Sequence, residues 1–164
     1  MNIQAGYGHI GKILYETFSQ FGPLAVYDPY NENCPNKVYS TKNHYNIAFI
    51  CVPTNMKEDG SCDISVVESS IHNICADIFV IKSTIPVGTT EKLIEKYGKH
   101  IIFSPEFTST NQHKGVQNFV VLGGARKYSN IVAELYKKIM PADFQIVYTD
   151  TKTAEMSKYM IIAS

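Results

Sequence analysis

The first eleven residues, "MNIQAGYGHIG" (Met1–Gly11), pass from a short strand through a glycine turn into a helix. Ile10, Leu14, Phe18 and Phe21 recur at helical spacing until Gly22-Pro23 stops the run. A second strand, "LAVYD", then ends on Asp28. Glycines placed as Gly6, Gly8 and Gly11 let the backbone turn tightly and approach an anionic group. The helix that follows offers free N–H groups and the positive end of its dipole. Asp28 lies at about the spacing expected of a carboxylate that accepts hydrogen bonds from a ribose diol. The pattern predicts a dinucleotide site that includes Gly6, Gly8, His9, Ile10, Gly11 and Asp28. One alternative is a plain Gly-rich turn with a capping Asp. Another is a methyltransferase, which also holds a ribose with an acidic residue after its second strand. Its glycine pattern is usually tighter, and no substrate-amine or base-flipping motif is present.

The rest of the chain repeats this alternation. A polar loop, roughly Pro29 to Tyr45, carries a short strand around Val38. "IAFICVP" is near-continuously apolar, as a strand covered on both faces should be. Ile64, Val67, Ile71 and Ile74 mark a helix that Asp63 is placed to cap. "IFVIKST" is a strand, and Thr89 to Tyr97 a helix ended by Gly98. "HIIFSP", "NFVVLGG" and "FQIVYTD" read as strands, with a helix on Tyr128, Ile131, Val132, Leu135 and Ile139 and another opening in "KTAEMSKYMIIAS". The expected fold is α/β: a Rossmann-like, doubly wound, mainly parallel sheet with helices on both faces. Ligands bind such sheets at the carboxyl ends of the strands, where strand order reverses. That rim collects Gly6, Asp28, Val52-Pro53-Thr54 and Ser83-Thr84, with Glu106 of "SPEF" at the next tip. Thr54 offers a hydroxyl at the cofactor edge, and Ser83 and Thr84 stand where a nicotinamide or substrate would lie. Lys82 could point into the site or lie along a neighbouring helix, and the second is the favoured reading.

Composition narrows the function classes. Fifteen basic and fifteen acidic residues balance, so nucleic acid is not an expected partner. No apolar run is long enough for a bilayer, and the early glycines spoil a signal-peptide reading, so no membrane partner is expected. Cys34, Cys51, Cys62 and Cys75 show no CxxC spacing, and are expected as reduced thiols in a cytoplasmic protein. The five histidines lack metal-ligand spacing, so no metal is expected.

"GYGHIG", "VYDP", "ICVPT…DGSCDIS", "IKSTIPVGTT", "SPEF", "VVLGG" and "AEMSKY" occur in the order and approximate spacing of one family. The chain resembles the NAD-binding domain of the UDP-glucose/GDP-mannose dehydrogenases over nearly its whole length. The resemblance implies NAD as cofactor and a nucleotide-sugar substrate, whose primary alcohol is oxidised to a carboxylate in two hydride transfers. It implies that Thr84 helps hold a catalytic water, that Glu106 works near the sugar, and that the Lys158 ammonium stabilises a developing oxyanion. It divides the chain into a Rossmann domain over 1–150 and the start of an inter-domain helix over 151–164.

The family pattern also fails in places. Thr110 stands where the family has a second glutamate, and Ile162 where it has an asparagine. The loop after Asp28 is short and is expected to lack a helix. The family's nucleophilic cysteine, in a "GGxCxxKD" segment of a substrate domain, has no counterpart before Ser164. The chain alone is therefore expected to bind NAD without completing the oxidation. The alternative is a non-catalytic NAD- or nucleotide-binding module. Met156, Tyr159, Met160 and Ala163 fall at helical spacing, with Ile162 widening the apolar face, and predict a homodimer or a partner chain on the C-terminal helix.

Overall fold

The computed structural model describes residues 1–106 and 118–163, the side chains of 159–163 excepted. The chain alternates as the pattern predicts. β1 (Asn2–Ala5), α1 (His9–Phe18) and β2 (Leu24–Tyr27) are followed by β3 (His44–Ile50), α2 (Ser65–Asn73), β4 (Cys75–Ile81), α3 (Thr89–Tyr97) and β5 (Ile101–Phe103). β6 (Phe119–Gly123), α4 (Arg126–Ile139), β7 (Gln145–Thr149) and α5 (Thr151–Ala163) complete it. The strands form one sheet in the order β2-β1-β3-β4-β5-β6-β7. All pairs are parallel except β5 with β6. From β1 the chain crosses to β2 on one side, then returns to place β3 on the other. That reversal leaves a crevice beyond the carboxyl ends of β1 and β3.

Side-chain alternation along the strands feeds two cores. On β3 and β4, Ala48, Ile50, Phe79 and Ile81 face a cluster that takes in Ile71 of α2 and Leu93 of α3. Ile47, Phe49, Ile78 and Val80 face the opposite cluster, with Leu14 and Phe18 of α1 and Val132 and Tyr136 of α4. Both faces are dry, which is why these strands read as unbroken apolar runs. No helix among the described residues is long and apolar enough to cross a membrane.

Three local expectations shift. α1 ends at Phe18, and Phe21 is 56% exposed beyond it rather than on its buried face. The strand near Val38 shrinks to a single parallel bridge between Val26 and Lys37. Asp63 does not cap α2, whose cap position is Ile64. Its Oδ1 instead accepts from the Ser65 N–H at 2.9 Å, closing a turn one residue early.

α3 begins as the sequence implies, because Gly88 takes φ +93°, a left-handed conformation that a side chain would strain. The N–H of Thr89 then donates to Glu155 Oε2 at 3.2 Å, so a carboxylate from α5 sits at the start of α3. Glu155 is fully buried, and burial raises its pKa in spite of the hydrogen bonds it accepts there. A carboxyl raised in the folded state stabilises fully below its unfolded value of about 4.3 and loses that contribution as pH climbs through the folded value. The stability of wild type relative to Glu155→Gln should therefore fall as pH rises above about 4. Urea melts at fixed pH values check this; a constant difference would show that Glu155 titrates normally.

Candidate functional site

Three glycines hold the rim, each for a different reason. Gly6 ends β1 with φ +96°, and a Cβ there would stand 2.6 Å from the Cys51 carbonyl oxygen. Gly11 packs α1 against the turn, and its Cβ would stand 2.4 Å from the Gly6 carbonyl oxygen. Gly8 is the opposite case, with open space where its Cβ would be. α1 has no side-chain cap at its N-terminus, so its first N–H groups are left for whatever fills that space. Beneath the turn, the buried Gln4 amide donates from Nε2 to the carbonyls of Gly6 and Gly11, at 2.9 Å each.

A crevice of about 460 Å³ opens above the turn. Gly6, Gly8, His9 and Ile10 form one wall; Val52, Pro53, Thr54, Ser83 and Thr84 form the facing one. Asp28, Glu106 and Lys158 also line it, whereas Gly11 lies behind the wall as packing for α1. Asp28 is fixed by two backbone donors, Tyr7 N–H to Oδ2 and Tyr30 N–H to Oδ1, both at 2.9 Å. A carboxylate has roughly four acceptor positions, so these bonds leave lone pairs facing the crevice mouth.

The hydroxyls of the facing wall are engaged with backbone. Ser83 Oγ donates to the Val52 carbonyl at 2.7 Å, and Thr54 Oγ1 donates to the Thr84 carbonyl at 2.6 Å. Two strand tips are thereby tied together before any ligand arrives.

A charged cluster forms the crevice floor. Lys82, 4% exposed, lies 3.1 Å from Ser104 Oγ, 3.5 Å from Tyr136 Oη and 3.8 Å from Glu106 Oε2. It does both things the sequence left open, reaching α4 through Tyr136 while facing the crevice. Burial pulls its pKa down, but Tyr136, Glu106 and Cys51 outweigh this and raise it. Cys51 itself is pushed up to about 12 by burial, with Lys82 pulling the other way. Lys158 donates to the Glu106 backbone carbonyl. Burial lowers the Lys158 ammonium, with Glu106 opposing. Thr110 lies outside the described residues, as does the side chain of Ile162.

A sequence model for the NAD binding domain of the UDP-glucose/GDP-mannose dehydrogenase family matches residues 31–140. The chain belongs to that family. NAD is thus the cofactor of the domain the chain matches. A UDP-N-acetyl-D-mannosamine dehydrogenase of Methanococcus maripaludis is 40% identical over 125 residues, covering 68% of this chain and 29% of that protein. A UDP-glucose 6-dehydrogenase of Bacillus subtilis is 32% identical over 130 residues, covering 69% and 29%. The match therefore spans less than a third of either relative. A solved UDP-glucose dehydrogenase from Pyrobaculum islandicum shares the fold, with a TM-score of 0.78 at 20% identity over 97% of this chain and 48% of that one.

Within this dehydrogenase-family domain, the stretch matched by the family model begins after the glycine turn and Asp28, so those residues rest on their motif and their geometry. Sequence reasoning missed Gln4. Its signal was a polar amide between Ile3 and Ala5 in the first strand, two residues before Gly6. Lys82 gives the sharpest test of the floor. Removing one partner of a buried ion pair leaves the other uncompensated, at a cost of about 3 kcal/mol or more. Lys82→Met should cost about that much in urea unfolding, and Lys82→Met with Glu106→Gln clearly less. Additive losses in the double-mutant cycle would show that the two charges do not interact.

Proposed function

We propose that this chain supplies the cofactor half of a nucleotide-sugar dehydrogenase that oxidises the sugar's primary alcohol. The observation that carries the reading is the uncapped start of α1, which opens with Gly8 onto a crevice whose mouth holds Asp28. That donor set fits NAD: N–H groups and a dipole end for the pyrophosphate, and a carboxylate for the ribose hydroxyls. His9 and Ile10 extend the phosphate wall, and Val52, Pro53, Thr54 and Ser83 form the wall for the nicotinamide end. NAD, when bound, accepts the hydride. Thr84 holds the water that the second oxidation consumes. Glu106 stands beside the reacting sugar, kept in place by Lys82 and by Lys158 on its own carbonyl. The Lys158 ammonium, partly withdrawn from water, stabilises negative charge on the sugar oxygen more strongly than an exposed lysine would. The described cysteines are free thiols, which fits a reducing compartment such as the cytoplasm.

Isothermal titration of NADH and NADPH tests the reading. NADH should bind, and NADPH roughly tenfold or more weakly, because a ribose 2′-phosphate meets the Asp28 carboxylate. Asp28→Asn should weaken NADH roughly tenfold, since a neutral acceptor makes the weaker bond. Equal affinity for the two cofactors overturns the role of Asp28, and binding of neither overturns the reading.

Self-association through α5 belongs to the same proposal. Met156 is 47% exposed on α5, and the sequence continues its apolar face. Sedimentation equilibrium should show a dimer that Met156→Glu shifts to monomer, since an unpaired carboxylate is costly to bury. A wild type that stays monomeric at high concentration removes this part of the proposal.

A further inference from the structure

The crevice occupies the carboxyl ends of the strands. A second cluster of reactive side chains occupies their amino ends. β3 and β4 start side by side, with His44 and Cys75 as register partners. Cys75 Sγ lies 3.2 Å from His44 Nδ1, and His44 Nε2 lies 2.8 Å from Asp77 Oδ1. Asp77 follows Cys75 by two positions, so the three side chains share one face of the sheet. One placement of the ring proton satisfies both contacts: Nε2–H donates to Asp77, and Nδ1 accepts the thiol proton. A thiol, a base aimed at it and a carboxylate that orients the base make a nucleophilic sulfur. Parallel strand pairing holds the three without help from a loop.

The surroundings leave the thiol open to small reactants. Cys75 is exposed, and the His44 and Asp77 side chains are 55% and 63% accessible. The carbonyl end of α2 runs into Cys75, and its dipole alone would oppose a negative sulfur. Lys99 covers that end, donating to the carbonyls of Ile71, His72 and Ile74. Burial lowers the pKa of the Lys99 ammonium, with the nearby Cys75 sulfur opposing. The other cysteines lack this setting. Cys51 is buried, burial and Asp28 together raise Cys34, and Cys62 faces the carbonyl oxygens of Thr54 and Thr84.

We propose that Cys75 is a site of reversible oxidation by hydroperoxides, with His44 as its base and Asp77 positioning His44. An open surface thiol suits a small diffusible electrophile. His44 Nδ1 takes the thiol proton, and the sulfur attacks the distal oxygen of the peroxide. An S–O bond forms as the O–O bond breaks. The sulfur loses two electrons and becomes a sulfenic acid. The peroxide is reduced, and its departing oxygen takes the proton from His44 and leaves as an alcohol, or as water from hydrogen peroxide.

The titratable groups set against the thiol are His44 from β3, Asp77 from β4 and Lys99 from the turn before β5. The full chain is treated with hydrogen peroxide and dimedone, and adducts at each cysteine are followed by peptide mass spectrometry. At pH 7 Cys75 should be trapped at least about tenfold faster than Cys62. His44→Gln should slow Cys75 about tenfold, the loss expected when a general base is removed. Asp77→Asn should fall between the two. Cys62 serves as the internal reference in every sample, and circular dichroism melts report the fold of the variants. A wild-type Cys75 no faster than Cys62 overturns the proposal without any variant. So does a Cys75 rate that His44→Gln leaves unchanged.

Discussion

The closeness of α1 to the tip of β1 is the constraint on which the rest depends. Neither Gly6 nor Gly11 has room for a methyl group, one against the Cys51 carbonyl and the other against the Gly6 carbonyl. The Gln4 amide locks the same turn from below by joining the carbonyls of Gly6 and Gly11. A helix placed this way points its free N–H groups over the sheet edge instead of past it.

The floor of the crevice is organised by charge rather than by backbone. Lys82 comes from the β4 tip, Glu106 from beyond β5, Tyr136 from α4 and Lys158 from α5. Two ammonium groups from separate elements thus converge on Glu106, Lys82 on its carboxylate and Lys158 on its peptide carbonyl, while Tyr136 meets Lys82. Bringing two ammonium groups and a carboxylate into a largely dry space is expensive unless each is satisfied, and here each has an oxygen or nitrogen partner. Such a cluster contributes little to stability, but it holds Glu106 in one orientation.

Much of this was legible in the sequence where local chemistry decides. The limits of α3 follow from Gly88 and Gly98, both left-handed in the structure. The four rim tips follow from alternation alone. The misreadings fall where local signals compete. Asp63 has a capping residue's chemistry but spends it on a turn. Val38 has a strand former's side chain, yet a loop this short lets one bridge form and no more. The orientation of Lys82 could not be read locally, because its partner Tyr136 lies 54 residues further on. Nor could the antiparallel β5–β6 pair be picked out, since a strand buried on both faces looks the same in either direction.

The paired hydroxyl bonds on one wall make the crevice asymmetric in stiffness. Thr54 to Thr84 and Ser83 to Val52 brace the tips of β3 and β4 into a single body backed by both cores. Across the mouth, Tyr30 is 88% exposed, and its segment is held to Asp28 through one backbone bond to the carboxylate and another from Asn31 to the Asp28 carbonyl. The exposed Tyr30 side chain is therefore the part of the mouth with most room to yield to a guest, while the opposite jamb stays fixed.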